Sequence, residues 1–274
     1  MAQAKLPSFD LIVATVDRTE ELGALLRSLA RQSYPEFRVL LVDQNEDGRV
    51  EAVRREHGSL DVVHLRSARG LSRARNAALG ELRAEIVAFP DDDCVYPDDL
   101  LELVARRFAA APPLDGLTGR GGTSASWAHD AAVLNRDNLW NRAISYTIFL
   151  RREIVERVGN FDERLGLPSS SGEEIDYLVR ALDAGARIEY DPGLDIEHEA
   201  ETRDLRDLAI RDGTSIGYIL RKHRYPRRTL VRMLARPFVG ALIALTHADP
   251  AEASFHIATL RGRVSGYRGM SVLG

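Results

Sequence analysis

The sequence predicts an α/β fold, in which a mostly parallel β-sheet is flanked by helices. Two observations lead to this prediction. In the first hundred residues, four short apolar segments alternate with segments of helical periodicity. The apolar segments are also rich in valine, isoleucine and leucine, as expected of strands buried on both faces. Such alternation is typical of a parallel sheet covered by helices.

The first predicted strand is residues 9–16, FDLIVATV, which are apolar and rich in β-branched residues. An amphipathic helix follows, because Leu22, Leu25, Leu26 and Leu29 recur at helical spacing, and Thr19 is its expected N-cap. The other predicted strands are 37–43, 61–66 and 85–89, and the other predicted helices are 49–57, 72–82 and 98–111. The chain from residue 204 onward is predicted to be helical.

Composition places the chain among ordinary soluble globular proteins. Of its 274 residues, 45% are apolar and 28% are charged. A net charge of −4 gives no electrostatic case for binding nucleic acid. The single cysteine, Cys94, excludes an internal disulfide and fits a cytoplasmic location. We expect no signal sequence, and the longest apolar segment, Pro237–Ala248, is shorter than the roughly 20 residues that span a bilayer.

Polar residues follow the predicted strands where parallel strands end. Thr15 and Asp17 follow the first strand, Asp43 ends the second, and the triplet Asp91–Asp93 follows the fourth. Ligands of such sheets bind at the carboxyl ends of the strands, so we expect these residues at one edge. Adjacent carboxylates repel one another, and oxygen ligands suit hard cations such as Mg²⁺ or Mn²⁺. A solvated turn that caps the next helix is the alternative.

The segment SGEEIDYLVR, residues 171–180, offers two further carboxylates. Ser171 and Glu174 have the spacing of a capping box, and from spacing alone this interpretation is favoured over a general base. At about 100° per residue, Glu174 and Asp176 fall on opposite sides of the apolar stripe. Asp176 also has Arg180 four residues later, which predicts a surface ion pair.

Three other features are ambiguous from the residues alone. Arginines in ARGLSRARNAAL, residues 68–79, indicate either a phosphate contact or a solvated basic face. A lone histidine, His198, is either structural or a metal ligand. The basic segment 203–236, interleaved with apolar residues, suits either an amphipathic surface near anionic lipid or helices that pack on the core.

Together these segments resemble the family 2 glycosyltransferases, which have the GT-A fold. The resemblance runs from about Phe9 to about Arg203. The matching segments, in the order of the family, are LIVATVDRTEELGALLRSLARQSY, VLLVDQNEDG, GLSRARNAALG, IVAFPDDDC, VGNFDERLG, GEEIDYLVRAL and the histidine of DIEHE. The resemblance implies inverting transfer of a sugar from a nucleotide diphospho-sugar to an acceptor hydroxyl, dependent on Mn²⁺ or Mg²⁺, in glycan or polysaccharide biosynthesis. A UDP-sugar is the favoured donor, with GDP- and dTDP-sugars as alternatives.

The resemblance also implies roles for individual residues. Those implied to contact the nucleotide are Thr15, Asp17, Asp43, Arg75, Asp91 and Asp92. The implied metal ligands are Asp93, Asp91 and His198. Glu174 stands where the family has an aspartate as general base, and Asp176 is the second choice. A further departure is Ala68, where an asparagine usually precedes the GLSRARN segment.

These implications set the expected organisation: a GT-A nucleotide-sugar-binding and catalytic domain over residues 1–203 and a helical extension over 204–274. The expected acceptor is a glycan, a lipid-linked molecule or a small molecule. Trp127 or Trp140 would stack on its sugar ring, unless both simply pack in the core. The basic C-terminal region would allow peripheral contact with the inner face of the membrane.

Two alternatives to a glycosyltransferase stay open at this point. A sugar-phosphate nucleotidyltransferase also binds nucleotides on a parallel sheet, but it calls for a glycine-rich, basic loop after the first strand, and ATVDRTEE has no glycine. A non-catalytic nucleotide-binding protein of the same fold is the other alternative. The oligomeric state is not predicted.

Overall fold

The computed structural model describes residues 5–110, 113–122, 127–166, 171–198 and 205–269. The chain divides into a sheet unit, Met1–Phe161 with Tyr177–Glu199, and a helical unit, Asp162–Asp176 with Ala200–Gly274. The expected boundary at residues 203 and 204 lies outside the described residues. Residues 162–176 group with the C-terminal helices, which the sequence did not indicate.

The sheet unit confirms the predicted α/β class. The strands of the described residues are β1 Phe9–Thr15, β2 Phe37–Asp43, β3 Val62–Arg66, β4 Ile86–Ala88, β5 Cys94–Val95, β6 Gly116–Gly121, β7 Ala132–Val133, β8 Phe149–Arg151 and β9 Ile188–His198. Their order is β3-β2-β1-β4-β8-β6-β9-β5, and β7 also pairs with β9. The first four strands in this order are parallel, whereas β8 is antiparallel to both β4 and β6, so the complete sheet is mixed.

The helices match the predicted positions closely. They are α1 Glu20–Ala30, α2 Arg49–Glu56, α3 Leu71–Ala78, α4 Leu100–Ala109, α5 Arg152–Val158 and α6 Glu173–Asp183. The four leucines of α1 are buried, as their spacing predicts. Thr19 occupies the N-cap position, but among the described residues its side chain makes no capping hydrogen bond.

The core lies between β1 and its covering helices. All seven residues of β1 are buried, and the Phe9 ring packs edge-on against Tyr34 and Phe149. Full burial of a leucine or phenylalanine side chain stabilises a fold by roughly 1.5–3 kcal/mol. This rigid core fixes the ends of β1, β2 and β4, from which the polar residues of the predicted site project.

The helical unit contains α7 Leu205–Lys222, α8 Arg227–Thr246 and α9 Pro250–Arg268. Glycines allow α7 and α9 to approach closely: a Cβ atom at Gly217 or Gly266 would overlap the backbone of the facing helix. Of the described helices, α8 alone is long and apolar enough to cross a bilayer, by length and composition only. The sequence alone predicted a shorter apolar segment, Pro237–Ala248, because Arg232 and Arg236 interrupt the apolar residues of α8.

A cluster of buried charges joins residues 162–176 to α7. The Asp162 carboxylate accepts hydrogen bonds from Tyr218 Oη at 2.7 Å and from Lys222 Nζ at 2.8 Å. Asp176 is fully buried, with Lys222 Nζ at 2.6 Å and His223 Nε2 at 2.7 Å. Burial acts to raise the pKa of Asp162, but the hydrogen bonds that it accepts outweigh burial and hold that pKa well below its usual range.

Candidate active site

The aspartate triplet lies at the edge of the sheet where β1 ends. The chain leaves β4 at Ala88, and Asp91 then bridges to Ala14 of β1 in a parallel arrangement. The short strand β5 begins directly after the triplet and pairs antiparallel with the end of β9, with Cys94 opposite His198. This pairing brings a histidine that is distant in sequence next to the triplet.

Three side chains at this edge have the arrangement of a metal site. One ligand atom each from Asp91, Asp93 and His198 lies within 4.8 Å of the others. His198 Nε2 is 3.0 Å from Asp93 Oδ1. Among the described residues, however, no donor makes a well-aligned hydrogen bond to this buried oxygen. Leaving a buried acceptor unsatisfied costs about 1–3 kcal/mol, which a hard cation at this position would offset.

An arginine that the sequence analysis overlooked offsets part of the triplet's charge. Arg18 Nη1 is 2.8 Å from Asp92 Oδ1 and 2.5 Å from Asp93 Oδ2. Burial acts to raise the pKa of Asp93, but His198 and Arg18 outweigh it and the pKa is lowered. The pKa of Asp92 is raised, because its burial outweighs the contributions of Arg18 and Thr15. Of these two carboxyl groups, Asp93 is therefore the more readily ionised.

Arg75 lies next to the triplet and is almost completely buried. Its side chain is 1% exposed, and Nη2 donates a hydrogen bond to Asp91 Oδ1 at 3.0 Å. The guanidinium also lies 5.8 Å from the ring centre of Phe89 and 5.5 Å from that of Phe161. The hydrogen bond of Arg75 orients Asp91. A contact between Arg75 and a nucleotide stays a prediction.

Two residues just before β8, Ser145 and Tyr146, complete the cluster. Ser145 Oγ donates to the Asp91 carboxylate, at 2.9 Å from Oδ2, and the Tyr146 ring stacks on His198 with centroids 4.7 Å apart. Gly121 faces this ring, and a Cβ atom there would overlap it. Neither Ser145 nor Tyr146 gave a signal in the sequence, because their contacts with Asp91 and His198 join residues that are distant along the chain.

The residues implied to bind the nucleotide gather beside the triplet. Thr15 and Asp43 are register partners at the ends of β1 and β2. Asp43 is 1% exposed and accepts hydrogen bonds from the backbone and the side-chain amide of Asn45, both at 2.9 Å. Asp17 has a positive φ of 59° and donates its backbone N–H to Asn45 Oδ1. Its carboxylate is half-exposed and meets Arg69 at 2.8 Å.

The start of α6 differs from the capping box that the spacing predicts. The helix begins at Glu173, and the Asp176 N–H donates to the carbonyl of Gly172, so Gly172 takes the N-cap position. Ser171 is one residue too early for a capping box with Glu174. Its hydroxyl instead donates to Asp212 Oδ1 at 2.6 Å. Glu174 is half-buried in the first turn of the helix.

Asp176, the second choice as general base, is also not the surface residue that its spacing suggests. It is fully buried and contacts Lys222 and His223 instead of forming an exposed pair with Arg180. The guanidinium of Arg180 lies over the Tyr177 ring, 4.9 Å from its centre. These contacts account for the burial of Asp176. The roles of Glu174 and Asp176 as general bases stay predictions.

Trp127 and Trp140 are half-buried, and both indole N–H groups donate hydrogen bonds to backbone carbonyls. Trp127 Nε1 donates to the carbonyl of Gly121 at 2.6 Å, and Trp140 Nε1 donates to the carbonyl of Arg136 at 3.1 Å. Gly121 is also the residue that faces Tyr146 of the cluster. A role for Trp127 or Trp140 in stacking on a sugar stays a prediction.

Comparison with known proteins agrees with the geometry. The sequence profile described as Glycosyl transferase family 2 matches residues 10–159, more than half of the chain. The chain belongs to glycosyl transferase family 2. The matched residues include the whole aspartate triplet but end before Glu174 and His198, so the roles of those two residues in the family 2 chain stay predictions.

Two curated relatives are distant. The family 2 chain is 28% identical over 247 residues to the pre-mycofactocin glycosyltransferase of Mycobacterium tuberculosis. The aligned region covers 83% of this chain and 52% of that protein. It is 26% identical over 201 residues to glycosyltransferase AglE of Haloferax volcanii, covering 68% of this chain and 64% of that protein. The chain therefore spans between about half and two thirds of the length of these relatives.

Solved structures show the same fold. The mannosyltransferase PcManGT of Pyrobaculum calidifontis, in complex with GDP-Man and Mn²⁺, matches with a TM-score of 0.68 at 18% identity, covering 96% of this chain and 88% of that one. TarS 1–349 of S. aureus, in complex with UDP, matches with a TM-score of 0.60 at 21% identity, covering 96% and 92%. At these identities the likeness concerns the fold alone, and it confirms the GT-A fold of the family 2 chain.

Proposed function

We propose that this protein transfers a sugar from a nucleotide diphospho-sugar to an acceptor hydroxyl, with inversion at the anomeric carbon and with a bound divalent cation. The cluster of Asp91, Asp93 and His198, with the unsatisfied Asp93 Oδ1, carries this proposal. The family match favours sugar transfer over the nucleotidyltransferase alternative.

The three residues of the cluster would hold Mn²⁺ or Mg²⁺, which suits their oxygen and imidazole ligands. When bound, the cation offsets the negative charge that builds up on the diphosphate as it leaves. Arg75 and Ser145 hold Asp91 in position through hydrogen bonds of 3.0 Å and 2.9 Å. Arg18 contacts Asp92 and Asp93 together and holds them close, so a preformed ligand set supports the proposal.

The nucleotide would lie along the edge formed by Thr15, Asp17 and Asp43. Asp43 offers carboxylate oxygens to a base, and Asp17 stands at a strained, positive φ, which is common among ligand-binding residues. We propose a UDP-sugar as donor. The two structural neighbours are complexes with GDP-Man and with UDP, which supports nucleoside diphosphates as the class.

Glu174 is proposed to remove the proton from the acceptor hydroxyl. As that oxygen forms a bond with the anomeric carbon, the bond from this carbon to the diphosphate oxygen breaks. The proton ends on Glu174, and the nucleoside diphosphate leaves with the bonding electrons. The proposed acceptor is a glycan, a lipid-linked molecule or a small molecule.

A screen of donors tests this function. UDP-, GDP- and dTDP-sugars would be incubated with the full chain and Mn²⁺, and the released nucleoside diphosphate would be measured. We expect one donor class to be hydrolysed slowly in the absence of acceptor, and EDTA to stop the release. If pyrophosphate is added and a nucleoside triphosphate is released from the sugar nucleotide, the protein is a nucleotidyltransferase instead. No turnover of any donor would contradict the proposed enzymatic activity.

A further inference from the structure

The helix α8 has two apolar faces, and within the described part of the chain only one of them is covered. Thr229, Met233, Pro237, Ala241 and Ala244 are buried and recur every three or four residues. On the opposite side, six large apolar residues are between 48% and 66% exposed: Val231, Phe238, Val239, Leu242, Ile243 and Leu245. Monomeric soluble proteins seldom expose so many large apolar side chains together. We refer to these six residues as the α8 face.

The surroundings of the α8 face are strongly basic. Residues 213–248 contain no aspartate or glutamate. Six arginines of this segment are exposed, and they concentrate at and before the N-terminal half of the helix: Arg221, Arg224, Arg227, Arg228, Arg232 and Arg236. An exposed apolar stripe bordered by arginines and free of acidic residues is complementary to a surface that is apolar inside and negatively charged outside.

We propose that the α8 face binds the surface of an anionic lipid bilayer, with the helix lying in the interface. Phe238, Leu242 and Leu245 would enter the boundary between head groups and acyl chains, and the arginines would contact the lipid phosphates. This inference does not depend on the proposed sugar transfer, because it concerns residues outside the candidate active site.

The contacts of α8 favour lying on a bilayer over spanning it. Arg263 of α9 donates a hydrogen bond to the carbonyl of Met233, and Gly240 packs against the ring of His256. A spanning α8 would have to leave α9 or draw Glu252, Arg261 and Arg263 into the hydrocarbon, where charges are costly. Because α8 stays paired with α9 through its buried side, only its exposed side is available to lipid.

The charges also disfavour a second copy of this chain as the occupant of the face. In a symmetric pair, each α8 face would meet the same segment of the other copy, and residues 213–248 offer no acidic partner for the arginines. Bringing two segments of the same charge together costs free energy. An anionic lipid surface has the opposite charge.

Sedimentation with vesicles tests the inference. The full chain would be mixed with vesicles of phosphatidylcholine alone and with vesicles containing about 30 mol% phosphatidylglycerol. We expect binding only to the anionic vesicles. A triple variant, Phe238→Ser, Leu242→Ser and Leu245→Ser, should lower the partition coefficient about a hundredfold. The double variant Arg227→Gln and Arg228→Gln should lower it about fivefold for each arginine.

The matched control is the double variant Leu103→Ser and Val133→Ser, which replaces side chains that are 43% and 49% exposed in the sheet unit. It should bind vesicles as the wild type does. An unchanged circular dichroism spectrum and an unchanged midpoint of thermal unfolding would show that the α8 variants are folded. Equal binding of the triple variant and the wild type would overturn the inference. A wild type that does not bind the anionic vesicles would also overturn it, as would a wild-type dimer that the triple substitution dissociates.

Discussion

Replacing Asp93 with asparagine should lower sugar transfer at least about a thousandfold, because the proposed cation would lose its principal carboxylate ligand. Asn keeps the shape of the side chain but removes the charge, so Arg18 and His198 would lose an ionic partner without leaving a cavity. We expect the remaining activity to be insensitive to the concentration of Mn²⁺. Initial rates of donor consumption, measured across a Mn²⁺ titration, check this result.

Asp98→Asn is the matched control. Asp98 lies five residues further along the chain, is 61% exposed and forms a surface pair with Arg31. Exposed pairs of this kind contribute about 0–1 kcal/mol, so this variant should keep nearly full activity. An Asp93→Asn enzyme with wild-type activity and wild-type dependence on Mn²⁺ would show that the aspartate triplet is not the metal site.

Replacing Glu174 with glutamine should lower kcat by about 10² to 10⁴, since general-base catalysis contributes on that order. The KM for the donor should change little, because the nucleotide residues and the metal cluster are untouched. Measuring kcat and KM separately, together with the affinity for nucleotide, distinguishes loss of a base from loss of folding. Retention of full kcat in Glu174→Gln would contradict the assignment.

Two further variants sharpen this test. Glu156→Gln replaces a glutamate that is 57% exposed on α5, and it should leave kcat unchanged. Asp176→Asn should act through stability instead, because Lys222 and His223 would lose the buried carboxylate between them. We expect it to lower the midpoint of chemical denaturation, whereas Glu174→Gln should leave the midpoint near that of the wild type.

Hydrophobic periodicity predicted the strands and helices of the first hundred residues. The strand at residues 9–16 and the helix containing Leu22 and Leu29 lie where periodicity placed them. The aspartate triplet at the end of β4 also followed from the sequence, because parallel strands have their carboxyl ends at one edge. These predictions needed no knowledge of distant contacts.

The remaining features depend on contacts between distant residues. The place of His198 beside Asp93 comes from the pairing of β5 with β9, which no single segment encodes. Arg18 and Ser145 contact the triplet from separate parts of the chain, and neither stands in a distinctive pattern. The spacing of Asp176 and Arg180 predicted a surface ion pair, which is wrong because Asp176 is buried. Spacing shows which residues share one side of a helix, but it does not show what packs against that side.

Which side of α8 is buried also depends on distant contacts. Its sequence is apolar on both sides, and periodicity alone does not show which side another helix covers. The basic character of residues 203–236 was visible in the sequence, as was the alternative of packing on the core. The structure separates the two interpretations along the helix: one side packs and the other is exposed.

Calorimetric titration of UDP into the full chain, with Mn²⁺ and then with EDTA, tests the central claim most directly. The claim is that Asp91, Asp93 and His198 bind a divalent cation that in turn holds the diphosphate of the donor. We predict that Mn²⁺ raises the affinity for UDP at least about tenfold, since a cation held by these residues would offset the negative charge of the diphosphate. Equal affinity for UDP with Mn²⁺ and with EDTA would contradict it.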